Sequence, residues 1–234
     1  MAGRTLILLP PSEGKALGGD GPPWREGMMR LTDLDSKRRV LLDSTTTAAV
    51  DPAGPTLAAI ERYTGVLYRE LDASTLRGQS RHRLDRDVLV VSGLWGLVAP
   101  TDPIPLYRLK MSARVDGIGK VAPWWRPDLS AALAERARGA SVWDLLPIEH
   151  SAAVDWMTPR PTRRTTVRFV DRRGRVVSHW NKLLKGSLVR WLVKTGARQP
   201  EDLVSFDHPA GYRFDSEASV LTPRRAEVVM HEAP

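Results

Sequence analysis

The chain of 234 residues contains no cysteine, which excludes disulfides, thiol redox catalysis and every cysteine-held zinc or iron–sulfur centre. Any part in redox biology must be indirect. Aromatic residues make up only 6% of the sequence, and lysine is scarce: of 35 basic residues 28 are Arg and 7 are Lys. No apolar run approaches the length of a membrane-spanning helix, and the N-terminus enters "RTLILLPP" without a small-residue cleavage site. A cytoplasmic location and no membrane partner are the expectation. The five histidines, at positions 82, 150, 179, 208 and 231, show no metal-ligand spacing, and no motif asks for a cofactor or a metal.

Present instead is positive charge. The formal net charge is +8 and the pI about 10.2, a balance that suits nucleic acid, nucleotides or other anions, although an arginine-rich solvated surface would look the same. With 42% hydrophobic residues the chain can bury one sizeable core, so a single domain over 1–234 is expected.

"TLILL" at 5–9, closed by Pro10 and Pro11, reads as a buried strand, and "DVLVVSGLWG" at 87–96 repeats the pattern of an apolar strand running into a small-residue turn. Residues 16–26 are too rich in Gly and Pro to be other than a loop. Leu57, Ile60, Thr64, Leu67 and Leu71 recur at helical spacing after a candidate N-cap, Thr56, with Gly65 as a weak point. A helix is expected over 127–139, capped by Asp128 or Ser130 and ended by Gly139, followed by the strand "SVWDLLP". "TTVRFVD" and "RVVSHW" alternate as strands around the turn "RRGR", predicting a basic hairpin. A helix then carries Leu183, Leu184, Leu188, Trp191 and Leu192 on one face, with Lys182, Lys185, Arg190 and Lys194 mostly opposite and Gly196 as its cap. Strands alternating with helices predict an α/β class with a mixed sheet, flanking helices and a basic hairpin-helix element.

If the first two strands are parallel neighbours, their exit loops, "PPSEGK" and "SGLWG", share one crevice. Lys15 would offer a point charge, Ser12 a hydroxyl, and Gly14 and Gly93 close backbone approach. Tyr107, Arg108 and Lys110 in "PIPLYRLKM" could stack on a base and hold a phosphate, or form an edge strand with snorkelling cations. Glu149 and His150 in "LLPIEHSAAV" are candidates for proton transfer or for structural hydrogen bonding. The densest charge, Arg160, Arg163, Arg164, Arg168, Arg172, Arg173 and Arg175, could track a phosphate backbone together with Lys182 and Lys185, with Trp180 stacking, or could be a solvated hairpin.

Six segments in order, "LLPPSEGK", "RYTGVLY", "LVVSGLWGLVAPTDPIPLYRLKM", "LLPIEHSAAV", "VVSHWNKLLKG" and "SFDHPAGYRFD", make the chain resemble the YaaA family of peroxide stress proteins over nearly its whole length. The resemblance implies a single mixed α/β domain, resistance to hydrogen peroxide through limiting free iron, and DNA binding by a positively charged cleft with a helix-hairpin-helix-like element. Carried over residue by residue, it implies a cleft lined by Lys15, Ser92, Gly93, Gly96, Tyr107, Arg108, Glu149, Lys182, Lys185, Gly186, Gly211 and Tyr212. This sequence has Ser-Glu-Gly-Lys where other members place a lysine closer to the proline, and Trp95 and Trp180 in place of tyrosines. "GLWG" has one residue more than a helix-hairpin-helix turn and follows a strand pattern. Two functions stand side by side. One is a DNA-binding stress protein with little sequence preference. The other is an enzyme acting on a nucleotide, nucleobase or small anion, with Lys15 and Arg108 on the anion, Tyr107 or Trp95 stacking, and Glu149 moving protons.

Overall fold

The computed structural model describes residues 4–44, 49–177, 181–208 and 210–233. In chain order the elements begin with β1 (Arg4–Leu9), α1 (Asp35–Ser44), β2 (Leu57–Ala58), α2 (Ala59–Arg62), α3 (Val66–Leu71), α4 (Gly78–Asp87), β3 (Val88–Ser92), β4 (Gly96–Val98) and β5 (Pro103–Ile104). They continue with β6 (Arg114–Val115), β7 (Gly119–Lys120), α5 (Val121–Ala137), β8 (Ala140–Asp144), α6 (Ile148–Ser151), β9 (Arg163–Val170), α7 (Asn181–Thr195), β10 (Tyr212–Leu221) and β11 (Arg225–Glu232).

Seven strands form one mixed sheet in the order β10-β11-β9-β8-β1-β3-β4. The five inner strands are parallel, while β4 and β10 run antiparallel along the two edges. Central β1, β3 and β8 are nearly all apolar because helices cover both faces of a parallel sheet. Leu8, Leu9, Val91 and Trp143 are wholly buried there. This is the expected mixed α/β class in a single fold, and β1 and β3 are the parallel neighbours that the shared crevice required.

Several local expectations fail for identifiable reasons. The helix expected from 57 to 71 is two short helices, broken at Tyr63–Gly65. Gly65 sits where a Cβ would come within 2.6 Å of the Ser12 Cβ, so the chain bends to admit the loop after β1. Thr56 caps nothing; its hydroxyl donates to the Pro22 carbonyl at 2.8 Å. Helix α5 starts six residues earlier than expected and takes Pro127 into its interior, where the missing N–H leaves the Pro123 carbonyl without its helical donor.

The basic hairpin also changes character. The turn forms, with the Gly174 N–H bonded to the Asp171 carbonyl, but the return strand amounts, among the described residues, to one bridge between Val170 and Val176. The long partner of β9 is β11, parallel to it over seven residue pairs from the C-terminal end of the chain. Trp180, assigned a stacking role from sequence, lies outside the described residues. Helix α7 forms as expected and ends at Gly196, whose φ of +75° and N–H to the Leu192 carbonyl make a left-handed cap.

Candidate phosphate-binding cleft

β1 must end at Leu9, since Pro10 and Pro11 cannot donate to a sheet ladder. The loop that follows is stitched onto the chain around α2: Lys15 bridges to Tyr63, the Ala16 N–H bonds to the Arg62 carbonyl at 2.9 Å, and the Thr64 N–H bonds to the Gly14 carbonyl at 3.1 Å. Buried Arg62 holds this junction by donating to the carbonyls of Ala16, Pro55 and Ile104. Tyr68 adds a hydroxyl bond to the Pro10 carbonyl at 2.8 Å.

The segment 107–110 reaches the same place through Gly93. A Cβ there would lie 2.8 Å from the Leu109 carbonyl oxygen, so the two backbones touch only because residue 93 is glycine. From β8 comes the turn into α6, which brings Pro147, Glu149 and His150. Together with Lys182 at the start of α7, these pieces enclose a cavity of about 410 Å³ at the carboxyl ends of the parallel strands. That is where an open α/β sheet binds its ligands. The lining includes Ser12, Glu13, Lys15, Tyr107, Arg108, Lys110, Glu149, His150 and Lys182.

Lys15 is the pivot. Its ammonium donates to the Ser12 carbonyl at 2.8 Å and lies 4.3 Å from the centre of the Tyr107 ring. Burial lowers its pKa to about 8; Arg108 and Arg62 push the same way, and Glu13 opposes them. Beneath it runs a chain of hydroxyls: Tyr107 bonds to both Tyr63 and Ser92 at 2.8 Å, and Ser92 accepts the Trp95 N–H at 3.2 Å. Burial drives the Tyr107 phenol up to about 12 and Tyr63 well above its ordinary value, so this chain stays protonated and rigid.

At the mouth, Arg108, Lys110 and Lys182 are exposed. Glu13 pairs with Lys110 at 2.7 Å, which holds its carboxyl below the usual range; both groups are open to solvent, so the pair is a weak tie. Burial pushes His150 toward the neutral imidazole, and its Nδ1 is enclosed without a hydrogen-bond partner, 3.5 Å from Glu149.

The cleft therefore brings together Ser12, Lys15, Tyr107, Arg108, Lys110, Glu149, His150 and Lys182 from the sequence-derived set. Others lie elsewhere. Ser92, Gly93, Trp95 and Gly96 form a buried floor rather than a lining. Trp95, 0% exposed, packs against Trp24 and the edge of Tyr107 and presents no face to a ligand. Lys185 is turned inward, donating to the Leu145 carbonyl at 2.9 Å, and burial lowers its pKa. Gly186 serves the close packing of α3 on α7: a Cβ would meet the Leu67 carbonyl at 2.4 Å. Tyr212 packs against Phe169 and His208 at the start of β10, next to Gly211 with its φ of +75°.

The arginine cluster is largely committed. Arg163 forks onto Glu201 at 2.8 Å, Arg164 holds buried Asp144 and stacks 3.6 Å over Trp156, and Arg175 pairs with Asp171. Arg172 stands 3.7 Å from Glu232, while Arg160, Arg168 and Arg173 are exposed. "GLWG" is a strand-to-strand turn between β3 and β4, so no helix-hairpin-helix lies there. Sequence reasoning passed over Glu13, Arg62 and Tyr63. The tyrosine was visible in "RYTGVLY", but nothing local said that its hydroxyl would meet Tyr107, 44 residues on.

Among the described residues no helix is long and apolar enough to cross a membrane, and no group of three or more His, Asp or Glu side chains could hold a metal ion. A family model described as peroxide stress protein YaaA matches residues 25–218. A UPF0246 protein of Streptomyces coelicolor is 35% identical, covering 97% of this chain and 99% of its own. One from Corynebacterium glutamicum is 32% identical over 88% of this chain and 93% of its own. Matches of that reach mean that the chain belongs to the YaaA (UPF0246) family of peroxide stress proteins.

Proposed function

We propose that this protein serves the peroxide-stress response by binding DNA through the cleft, holding phosphates with little sequence preference, and that it thereby limits iron-driven damage. The observation that carries the reading is the gathering of Lys15, Arg108, Lys110 and Lys182 around one cavity, with Glu13 and Glu149 the only carboxylates in its lining among the described residues. A cationic groove binds a phosphate backbone mainly by releasing its counterions, which is independent of sequence. Iron is then affected downstream, since the reading needs no iron ligand. The cations that matter are Lys15 and those at the cleft mouth, because Arg163, Arg164 and Lys185 already spend their donors within the protein.

Salt titration with a labelled duplex, a bubbled duplex and a single strand tests this. Arg108→Ala with Lys182→Ala should flatten the slope of log affinity against log salt by about 0.9 for each duplex phosphate that is no longer neutralised. Arg163→Ala should leave the slope unchanged. Plasmid nicking by ferrous iron and peroxide should be slowed by the wild type and not by the double variant. A slope that survives the double substitution sinks the reading.

A second reading has its own support. A cavity of about 410 Å³ with a deep lysine falls in the size range of small-ligand sites, which fits a nucleotide, nucleobase or related anion. Displacement of the duplex by one nucleotide at low concentration would favour it, with Glu149 as the proton carrier.

A further inference from the structure

A primary amine attacks carbon only as the free base. Desolvation and neighbouring cations are the two ways a protein holds a lysine in that form. Both act on Lys15. It is packed over Tyr107 at 4.3 Å and near Tyr63 at 5.8 Å, and Arg108 and Arg62 stand close by. With a pKa of about 8, roughly a tenth of the molecules carry the neutral amine at pH 7. An anion-holding role alone would favour an exposed, fully charged ammonium like those of Lys110 and Lys182 at the mouth. The depth of Lys15, the cations outside it and the unpartnered Nδ1 of His150 suit a covalent step better than a simple ion pair.

We infer that Lys15 is a nucleophile that forms a Schiff base with an aldehyde carried on a phosphate ester, the phosphate resting on Arg108, Lys110 and Lys182. The inference rests on the reading of the cleft as a phosphate site. Nζ bonds to the carbonyl carbon, and the carbonyl oxygen takes up a proton to give a carbinolamine. The C–O bond then breaks, and the oxygen leaves as water with both hydrogens that the amine has given up. Glu149 and His150, in the same lining, are placed to carry those protons. Amine and aldehyde become imine and water, with no electron donor or acceptor required. Aldehydes of this class have two sources: the ring-opened deoxyribose left where a DNA strand has shed a base, and a free sugar phosphate.

The test treats the full chain with cyanoborohydride, which reduces an imine to a stable amine. The probes are a duplex with one baseless position, the same duplex intact, and 2-deoxyribose 5-phosphate. The expected result is a covalent adduct with an aldehyde probe and none with the intact duplex. Peptide mass mapping should put it on Lys15, and its rate should climb as pH rises through about 8. Lys15→Arg should abolish it. Should that variant fold poorly, mapping on the wild type decides, because seven lysines are present and the inference names one. No adduct with either aldehyde, or an adduct on another lysine, overturns it. Intact-duplex binding is measured in parallel: binding without an adduct refutes the inference and leaves the DNA reading standing. An adduct with the sugar phosphate but no duplex binding supports the inference and removes the DNA reading.

Discussion

Arg38 is 0% exposed, and four of its bonds are visible: Nε to the Trp95 carbonyl at 3.0 Å, Nη1 to the Leu31 carbonyl at 2.7 Å and to Asp35 at 2.6 Å, and Nη2 to the Leu97 carbonyl at 2.9 Å. Asp35, 6% exposed, also accepts the Gly27 N–H at 2.7 Å. Replacing Arg38 by Met keeps much of the volume and strands a buried carboxylate and three carbonyls. Breaking a buried pair by deleting one partner costs about 3–5 kcal/mol. For a chain of this length that corresponds to a fall in melting temperature of roughly 10 °C. Urea unfolding and a thermal scan measure it. The double variant Asp35→Leu, Arg38→Met should be more stable than Arg38→Met alone, because no unpaired charge remains inside. A loss below about 1 kcal/mol in the single variant, or a double variant worse than the single, would refute the idea that Arg38 is a buried cation satisfied only by these partners.

Four further outcomes follow from the structure. Lys15 falls from 10.5 to about 8 on folding, so between those values the unfolded chain binds more protons and stability should rise with pH; a pH series of unfolding free energies on wild type and Lys15→Met should differ in that window. Anion affinity should move the other way, weakening above about pH 8 in the wild type and staying flat in Lys15→Met, as read by phosphate or duplex titration. Arg164→Ala should cost roughly 1–3 kcal/mol by leaving Asp144 buried without its guanidinium, while duplex affinity in a filter-binding assay stays unchanged. Gly93→Ala should push the 107–110 segment away from the sheet, lowering ligand affinity more than Arg164→Ala does, since the added Cβ meets backbone rather than a movable side chain.

How much of this was legible from sequence varies with the distance of the partner. The strands β1, β3 and β8 could be read because a fully apolar run ended by proline or small residues is a local signal. Their parallel pairing, on which the shared crevice depends, was only a condition until the fold supplied it. The pair of β9 could not, because "RVVSHW" supplied a nearby alternating segment, whereas the actual partner, β11, begins 55 residues after β9 ends and carries no mark of its destination. Charge misled for a similar reason. Arginines read one at a time look available, and only the fold reveals Glu201 opposite Arg163 or Asp144 beneath Arg164. Trp95 looked like a stacking platform for want of any sign that Trp24, seventy-one positions away, would cover it. The lysine at the exit of the first strand does line the cleft, because the prolines that end β1 act on their own stretch of backbone and so are written where they act.

The placement of β11 between β9 and β10 sets an order of assembly opposite to the order of synthesis. A ribosome delivers β9 some 55 residues before the strand that must lie against it, and β10 before the neighbour that joins it to the sheet. Until residues 225–232 emerge, β9 offers a long open edge and β10 has nothing to pair with. The half that builds the cleft, from β4 through β8, can close while the chain is still being made; the other half waits for nearly its last residues. A nascent chain stalled before that point would leave one edge of β9 unpaired, the kind of edge on which copies of one protein add to each other, with the arginines of RRTTVRFV as its guard against that.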